Sequence, residues 1–210
     1  EDLAKVLGAH VADGNLRMRK THFKDNREAI HYELVLREEY ESHVKSFCRW
    51  FNNIFDFDLK YKKERNHYSI YVSNKLILYY FNKIFNIPLG RKTETISIPL
   101  IIKNSNKNIR KSFLIGLFMF DGGVDYATGY VSLTSKSKKL IEETNNVLNE
   151  VNLQPDYISS KSDNFGRYRI IIRKKEKLKR CLMLFEKNTE KWFRLYESLY
   201  GFKKFMFELS

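Results

Sequence analysis

The sequence has little cysteine and no long apolar run. Its two cysteines, Cys48 and Cys181, form no CxxC pair. The five histidines show no ligand spacing with them, so neither a zinc site nor a disulfide framework is indicated. No apolar run approaches the ~20 residues that span a bilayer, and Glu1-Asp2-Leu3 lacks the basic start of a signal peptide. We therefore expect an intracellular protein of the cytoplasm or nucleoid, with no membrane association.

Acidic residues are outnumbered by basic ones. The chain has 25 Asp and Glu against 38 Lys and Arg, which gives a formal net charge of +13. A polyanion is attracted to such a surface and releases counterions when it binds. Basic chains also bind acidic proteins or membranes, and part of the lysine content reflects an AT-rich coding sequence. Since 43% of the residues are hydrophobic, we expect a globular protein whose partner is nucleic acid.

Two segments of the sequence share one pattern. Val6–Gly14 and Leu114–Gly122 are apolar, helix-length runs, each with an internal glycine and a terminal Asp-Gly. The apolar positions that follow also match at one constant offset: Leu34, Leu36, Val44, Phe51 and Ile54 against Val131, Leu133, Ile141, Leu148 and Val151. Such self-similarity indicates an internal duplication.

The apolar periodicity predicts the same element order in both copies, namely helix, two strands, helix, two strands, helix. The polar stretch Lys103–Asn108 has no such period. We therefore predict a first half at residues 1–102, a linker at 103–111 and a second half at 112–210. The predicted helices are 3–13, 40–55, 74–86, 112–121, 136–151, 174–186 and 189–200. The predicted strands are 15–24, 29–37, 58–64, 68–73, 123–126, 129–134, 156–161 and 167–173.

The repeated glycines and aspartates need an explanation. Glycine inside a helix costs about 0.8–1 kcal/mol relative to alanine, so Gly8 and Gly116 predict a close crossing of the two helices. An aspartate in the last turn of a helix faces the negative end of its dipole. One alternative is that each Asp-Gly is only a helix end, with Gly14 and Gly122 in the left-handed conformation.

The paired occurrence favours a metal site instead. Two crossing helices would bring Asp13 and Asp121 close together, where uncompensated carboxylates repel each other. Mg²⁺ or Ca²⁺ relieves that repulsion, and both prefer carboxylate and carbonyl oxygens. The pattern therefore predicts a metal site suited to phosphodiester hydrolysis.

These residues resemble the LAGLIDADG homing endonucleases in their single-chain, two-motif form, over nearly the whole chain. The second motif, with Ile98-Pro99 ahead of Ser112–Phe118 and Asp121-Gly122, is similar to the archaeal and intein-borne members. The first motif keeps Gly8, Ala12, Asp13 and Gly14 but has Ala9-His10-Val11 in its middle. We expect His10 to be a packed or capping residue, because the second motif has Phe118 there.

The resemblance implies an α+β fold of two pseudo-symmetric αββαββα halves that pack on the motif helices and form a DNA-binding saddle. It implies a monomeric, site-specific endonuclease that cuts both strands of a long asymmetric target across the minor groove and leaves 3′ overhangs. Asp13 and Asp121 would be catalytic and would bind Mg²⁺, with Ca²⁺ or Mn²⁺ able to substitute for binding. Lys136 would organise water at one scissile phosphate, although a surface lysine at a helix start is the alternative. At the matching offset the first half has Glu39, so the two cleavage sites are expected to be unequal.

Strand parity selects side chains opposite the apolar positions, which in such a saddle would face the DNA. A plain solvated face is the alternative for any one of them. The predicted DNA-binding residues are Arg17, Arg19, His31, Glu33, Arg37, Lys60, Lys62, Ser69, Tyr71, Ser73, Ser132, Thr134, Arg169 and Arg173.

Three alternative functions remain open on the sequence. An RNA maturase, which would bind intron RNA and assist splicing, needs the basic saddle but not the aspartates. A non-catalytic DNA-binding regulator on the same fold is expected to have lost the acids. The endonuclease portion of an intein is the third, and the absence of an initiator methionine leads us to expect an excised or trimmed domain.

Overall fold

The computed structural model describes residues 1–25, 27–90, 92–126 and 129–201, and residues 202–210 of the predicted second half lie outside them. Both halves have the predicted element order. The first half contains α1 (Asp2–Asp13), β1 (Gly14–His22), β2 (Glu28–Glu38), α2 (Glu41–Phe55), β3 (Tyr61–Lys63), β4 (Tyr68–Ser73) and α3 (Lys75–Tyr79), which continues as a π-helical turn (Tyr80–Ile84). The short helix α4 (Leu100–Lys103) follows.

The second half repeats this order. It contains α5 (Lys107–Asp121), β5 (Gly122–Asp125), β6 (Tyr130–Ser135), α6 (Lys138–Glu150), β7 (Tyr157–Ile158), β8 (Tyr168–Ile172), α7 (Lys175–Cys181), a 3₁₀ turn (Leu182–Leu184) and α8 (Glu190–Tyr200). No helix among the described residues is long and apolar enough to cross a membrane.

Helix α5 begins earlier than predicted. It starts at Lys107 rather than at residue 112, so residues 107–111 of the predicted linker are helical. The Asn106 side chain accepts a hydrogen bond from the Ile109 backbone N–H at 3.1 Å and so caps the helix. The asparagine that the polar pattern assigns to a solvated loop is therefore a helix start signal.

Each half has one antiparallel four-stranded sheet, with strand order β1-β2-β4-β3 in the first and β5-β6-β8-β7 in the second. In the first sheet Leu34 pairs with Val72 and Leu36 with Ile70. In the second, Val131 pairs with Ile172 and Leu133 with Ile170. These apolar side chains are buried, so one face of each sheet packs against helices and the other is left free.

The two motif helices cross where the sequence places glycine in each. A Cβ on Gly8 would overlap the Phe113 backbone oxygen and lie 2.7 Å from the Leu117 nitrogen. A Cβ on Gly116 would overlap the Lys5 backbone oxygen and lie 2.9 Å from the Ala9 nitrogen. The predicted close crossing of α1 and α5 is confirmed. Because the helices touch backbone to backbone, their C-terminal ends are held side by side.

His10, in the middle of α1, is fully buried and makes an edge contact with the Phe81 ring, with 5.1 Å between ring centroids. It is therefore a packed residue, as expected.

Candidate active site

Asp13 and Asp121 are the last residues of α1 and α5. Both aspartates line the same two cavities. The glycines after them are extended, Gly14 with φ −73° and ψ 154° and Gly122 with φ −67° and ψ 136°. The left-handed helix end that we considered as an alternative is therefore wrong. Glycine is needed for space instead, since a Cβ would overlap the His10 ring at Gly14 and the Phe118 oxygen at Gly122.

The two aspartates influence each other's ionisation. Burial, followed by the negative charges of Asp121 and Glu38, raises the pKa of Asp13 to about 7. Burial also raises the pKa of Asp121 to about 6, against the opposing effect of the Lys92 and Lys191 ammonium groups. A shared, partly dehydrated site makes it costly to ionise both carboxylates, which is the repulsion that the sequence predicted.

Two lysines that the sequence analysis missed cap the motif helices. Lys92 donates hydrogen bonds through Nζ to the carbonyl oxygens of Val11 (2.7 Å), Ala12 (3.2 Å) and His10. Lys191 donates to the carbonyls of Met119 (2.7 Å) and Phe120 (2.8 Å) and is 8% exposed. Each ammonium group thus neutralises the negative end of one helix dipole beside an aspartate.

Burial lowers the pKa values of both lysines, that of Lys92 to about 8. The sequence places Lys191 in an aromatic packing helix, and Lys92 in a segment with no apolar period. Nothing in their local sequence marks them as buried, because their position depends on where α8 and the segment before α4 pack. The only signal is that each half has a lysine beyond its third helix.

The first cavity, of about 600 Å³, lies between the end of β2, the start of β5 and helix α8. Its lining residues are Asp13, Arg37, Glu38, Glu39, Tyr40, His67, Phe120, Asp121, Gly122, Gly123, Val124, Lys191 and Arg194.

The second cavity, of about 300 Å³, lies between the end of α1, the Lys92 segment and the end of β6. Its lining residues are Val11, Ala12, Asp13, Lys92, Thr93, Ile96, Asp121, Thr134, Ser135, Lys136, Leu140 and Arg167. Lys136 therefore lies in the same cavity as both aspartates, and Glu39 occupies the corresponding place in the first cavity.

The predicted DNA-facing residues of the first half share the free face of its sheet. Arg17 pairs with Glu33 and Arg19 with His31 across β1 and β2. Farther along, Arg37 pairs with Ser69. Lys62, Tyr71 and Ser73 are on the same face by register, and all three are exposed.

Three of the predicted DNA-binding residues are less available to DNA than the sequence predicted. Ser69 is 1% exposed, so its hydroxyl is not accessible as predicted. Glu33 is 9% exposed because ion pairs with Arg17 and with Arg19 (3.6 Å) cover it. Lys60 precedes β3 and forms an exposed ion pair with Asp58 at 2.9 Å.

In the second half, Ser132 and Thr134 pair with Ile171 and Arg169 on the free face. Arg169 Nε lies 3.3 Å from Thr134 Oγ1. Arg173 extends over the Tyr130 ring at 5.9 Å. Both sheets therefore present arginine together with small polar side chains, a composition that contacts phosphates and base edges.

The donor set at the helix ends fits a hard divalent cation. Among the described residues no three His, Cys, Asp or Glu side chains converge as a metal site. Asp13 and Asp121 are the carboxylates available at the helix ends, and they would hold a cation without a closed protein cage. Mg²⁺ is commonly held in this way, by one or two carboxylates together with phosphate oxygens and water.

A family model for the LAGLIDADG-like domain matches residues 108–185. The chain is 27% identical over 192 residues to the replication factor C small subunit of Methanocaldococcus jannaschii, which covers 83% of this chain. It is 26% identical over 139 residues to a subunit of the A-type ATP synthase of Pyrococcus abyssi, which covers 66% of this chain. The matches span only 10% and 12% of these two proteins.

Solved structures match over most of the chain. The structure of I-DmoI with DNA and Mn has a TM-score of 0.62 at 22% identity, and covers 87% of this chain and 95% of that one. The meganuclease I-SmaMI bound to uncleaveable DNA has a TM-score of 0.59 at 11% identity, and covers 93% and 88%. Residues 108–185 therefore match the LAGLIDADG-like domain, and the chain as a whole has the two-halved fold of these solved structures.

Proposed function

We propose that this protein is a site-specific DNA endonuclease that hydrolyses one phosphodiester bond in each strand of a duplex. The observation that carries the proposal is the Asp13 and Asp121 pair, held at the common end of two crossing helices and shared by two cavities. In a protein that only binds DNA, two carboxylates that repel each other at the centre of a basic surface would contribute nothing to binding. A hydrolase that holds a cation beside a phosphate uses both.

The substrate is double-stranded DNA with a long, asymmetric target. The free faces of the two sheets present Arg17, Arg19, Arg37, Arg169 and Arg173. Because the side chains differ between the halves, the two faces would read different base pairs, and an asymmetric site follows. One chain contains both halves, so the protein acts as a monomer, inside the cell where DNA is available.

Each residue of the site has a distinct part in the reaction. Asp13 and Asp121 would hold the cation, for which Mg²⁺ is our candidate. When bound, it supplies Lewis-acid stabilisation of the phosphate and the leaving 3′ oxygen. Lys92 and Lys191 oppose the rise in the pKa values of both aspartates, and they fix the helix ends through the carbonyl hydrogen bonds. Lys136 orients water at the phosphate in the second cavity, and the cuts fall across the minor groove to leave 3′ overhangs.

The names of the two protein relatives describe ATP synthesis and DNA replication. We do not assign either activity to this chain, because the matched segment is about a tenth of each protein. A similar segment occurs in two proteins with different names, which is consistent with a segment whose function is independent of the rest of either protein.

The test is cleavage of a randomised-site DNA library with Mg²⁺, followed by capture of the cut ends. We expect recurrent staggered ends with wild-type protein and none with Asp13→Asn or Asp121→Asn, while DNA binding by both variants persists. Asp25→Asn, at the exposed tip of the first hairpin, is the matched control and should cut normally. Tight DNA or RNA binding without any cleavage by the wild-type protein would refute the proposal and favour a regulator or a maturase.

A further inference from the structure

The two cavities differ in charge. Apart from the shared aspartates, the first cavity is lined by the cations Arg37, Lys191 and Arg194 and by the acids Glu38 and Glu39. Three positive and two negative groups give a formal charge of +1, with His67 neutral.

The described residues that line the second cavity include Lys92, Lys136 and Arg167 and no acid besides the aspartate pair. Its formal charge by the same count is +3. A phosphate group would therefore meet a more positive environment in the second cavity than in the first.

Glu38 is the fixed source of this difference. The residue is 7% exposed, and Oε1 accepts hydrogen bonds from the backbone N–H groups of Glu39 (2.8 Å) and Tyr40 (3.2 Å) at the start of α2. Its Oε2 lies 3.6 Å from His43 Nδ1. Held in this way, the Glu38 carboxylate cannot turn away from a phosphate that enters the cavity.

The corresponding position in the second half is Ser135. Its hydroxyl accepts the Ser137 backbone N–H at 3.2 Å, ahead of α6. The neutral Ser135 hydroxyl thus accepts a backbone N–H group at the start of α6, as the Glu38 carboxylate does at the start of α2. The fold does not require a negative charge at this position, so the charge at Glu38 is free to serve the reaction.

We propose that the two strands are cut in a fixed order, the strand in the second cavity first, and that the charge of Glu38 delays the other cut. The inference rests on the proposed endonuclease function. In each cut a water oxygen bonds to phosphorus and the bond from phosphorus to the 3′ oxygen breaks. One water proton passes to the 3′ oxygen and the other to the buffer, which leaves a 3′ hydroxyl and a dianionic 5′ phosphate. Since this phosphate gains negative charge, a nearby carboxylate slows the cut and cations speed it.

The test uses the target recovered from the library, in a duplex with a different fluorescent label on each strand. We expect one strand to be nicked about tenfold faster, with nicked duplex accumulating before the double-strand break. Glu38→Gln keeps the acceptor oxygen for the α2 start and should accelerate only the slow strand. Ser135→Glu should slow only the fast strand. Glu142→Gln, on the exposed face of α6, is the control that leaves the ratio unchanged.

Partial unfolding would lower both strand rates together, so the ratio within one reaction separates electrostatics from folding. Equal wild-type rates, or a Glu38→Gln effect on both strands alike, would overturn the proposal. No cleavage of any DNA by the wild-type protein would instead refute the endonuclease function itself.

A second readout needs no cation. In EDTA, a neutral methylphosphonate replaces the scissile phosphate of one strand at a time, and duplex binding is measured by fluorescence anisotropy. We expect the substitution to weaken binding several-fold more in the fast strand than in the slow one, and Glu38→Gln to reduce this difference, with Glu39 as the remaining acid of the first cavity. The same affinity change for both strands would contradict the charge difference between the cavities.

Discussion

Asp121→Asn should make the protein more stable when no divalent cation is present. In the folded state the Asp121 carboxylate shares its site with Asp13, and burial raises its pKa from 3.8 to about 6. In the unfolded chain the same carboxylate is surrounded by water. An asparagine has nearly the same shape and no charge, so the substitution removes the buried negative charge, together with its repulsion of Asp13, and leaves the helix crossing intact.

The magnitude follows from the pKa shift. A rise from 3.8 to about 6 corresponds to about 3 kcal/mol of lost stability at pH 8. Asp121 is partly exposed, so solvent screening reduces this to about 1–2 kcal/mol. For a chain of this size each kcal/mol changes Tm by about 2–4 °C. Because the folded pKa is raised, the loss grows as pH rises from 3.8 through about 6 and is absent below 3.8.

The assay is thermal and urea unfolding in EDTA at pH 8 and at pH 4.5, for the wild-type protein, Asp121→Asn and the control Asp25→Asn. We expect the gain in Asp121→Asn at pH 8 to shrink at pH 4.5. Excess Mg²⁺ or Mn²⁺ should stabilise the wild type and leave Asp121→Asn nearly unchanged. A variant that is less stable than the wild type at pH 8 in EDTA, or equally stabilised at both pH values, would refute the repulsion argument.

Three further predictions test other parts of the structure. Gly116→Ala should destabilise the fold by at least about 2 kcal/mol, because its Cβ would overlap the Lys5 backbone oxygen. Urea denaturation measures this loss. A loss below roughly 0.5 kcal/mol, the size of a surface change, would contradict the close crossing. Asp156→Asn should lower stability at pH 7, because the hydrogen-bonded and ion-paired Asp156 carboxylate has a pKa of about 2 despite the opposing effect of burial. The loss of stability should disappear as pH falls from 3.8 through about 2. Thermal unfolding at several pH values measures it, and the reverse trend would contradict a stabilising Asp156 carboxylate. Lys92→Met should move the acid limb of the cleavage pH profile to higher pH, because the aspartates lose an ammonium group that lowers their pKa values. Lys20→Met, on the exposed first hairpin, is the control. An unchanged pH profile in Lys92→Met would show that Lys92 has no such effect.

The sequence predicted the element types and their order because each half alternates between two clear apolar periods. Apolar residues at alternate positions, Leu34 and Leu36 in β2 and Ile170 and Ile172 in β8, predicted which strand face is buried, and the parity of Arg17, Arg37 and Arg169 followed from them. The structure buries the intervening Val35 and Ile171 as well. Helix boundaries were predicted less well, since Asn106 caps α5 well before the apolar run begins. Caps depend on a single local hydrogen bond, which a periodicity analysis does not detect.

The candidate site, too, was only partly predictable from the sequence. Duplication of the Gly and Asp-Gly pattern was sufficient to predict that the two motif helices cross and that Asp13 and Asp121 meet, because a shared backbone contact leaves few other arrangements. The buried lysines and the burial of Ser69 were not predictable, because they depend on how distant segments pack against the helix ends and the sheet.

By itself, the sequence determined the repeat, the buried face of each strand and the identity of the paired acids, since all three follow from local spacing. Only the tertiary structure decided which charges surround those acids. Lys92 reaches the carbonyl oxygens of α1 across about 80 positions, and Lys191 reaches those of α5 across about 70. Glu38 and Ser135 hold equivalent places in the two halves but give them different charges. Electrostatic interactions act through space and not along the chain, so the balance of charge at the site appears only once the two halves are folded together.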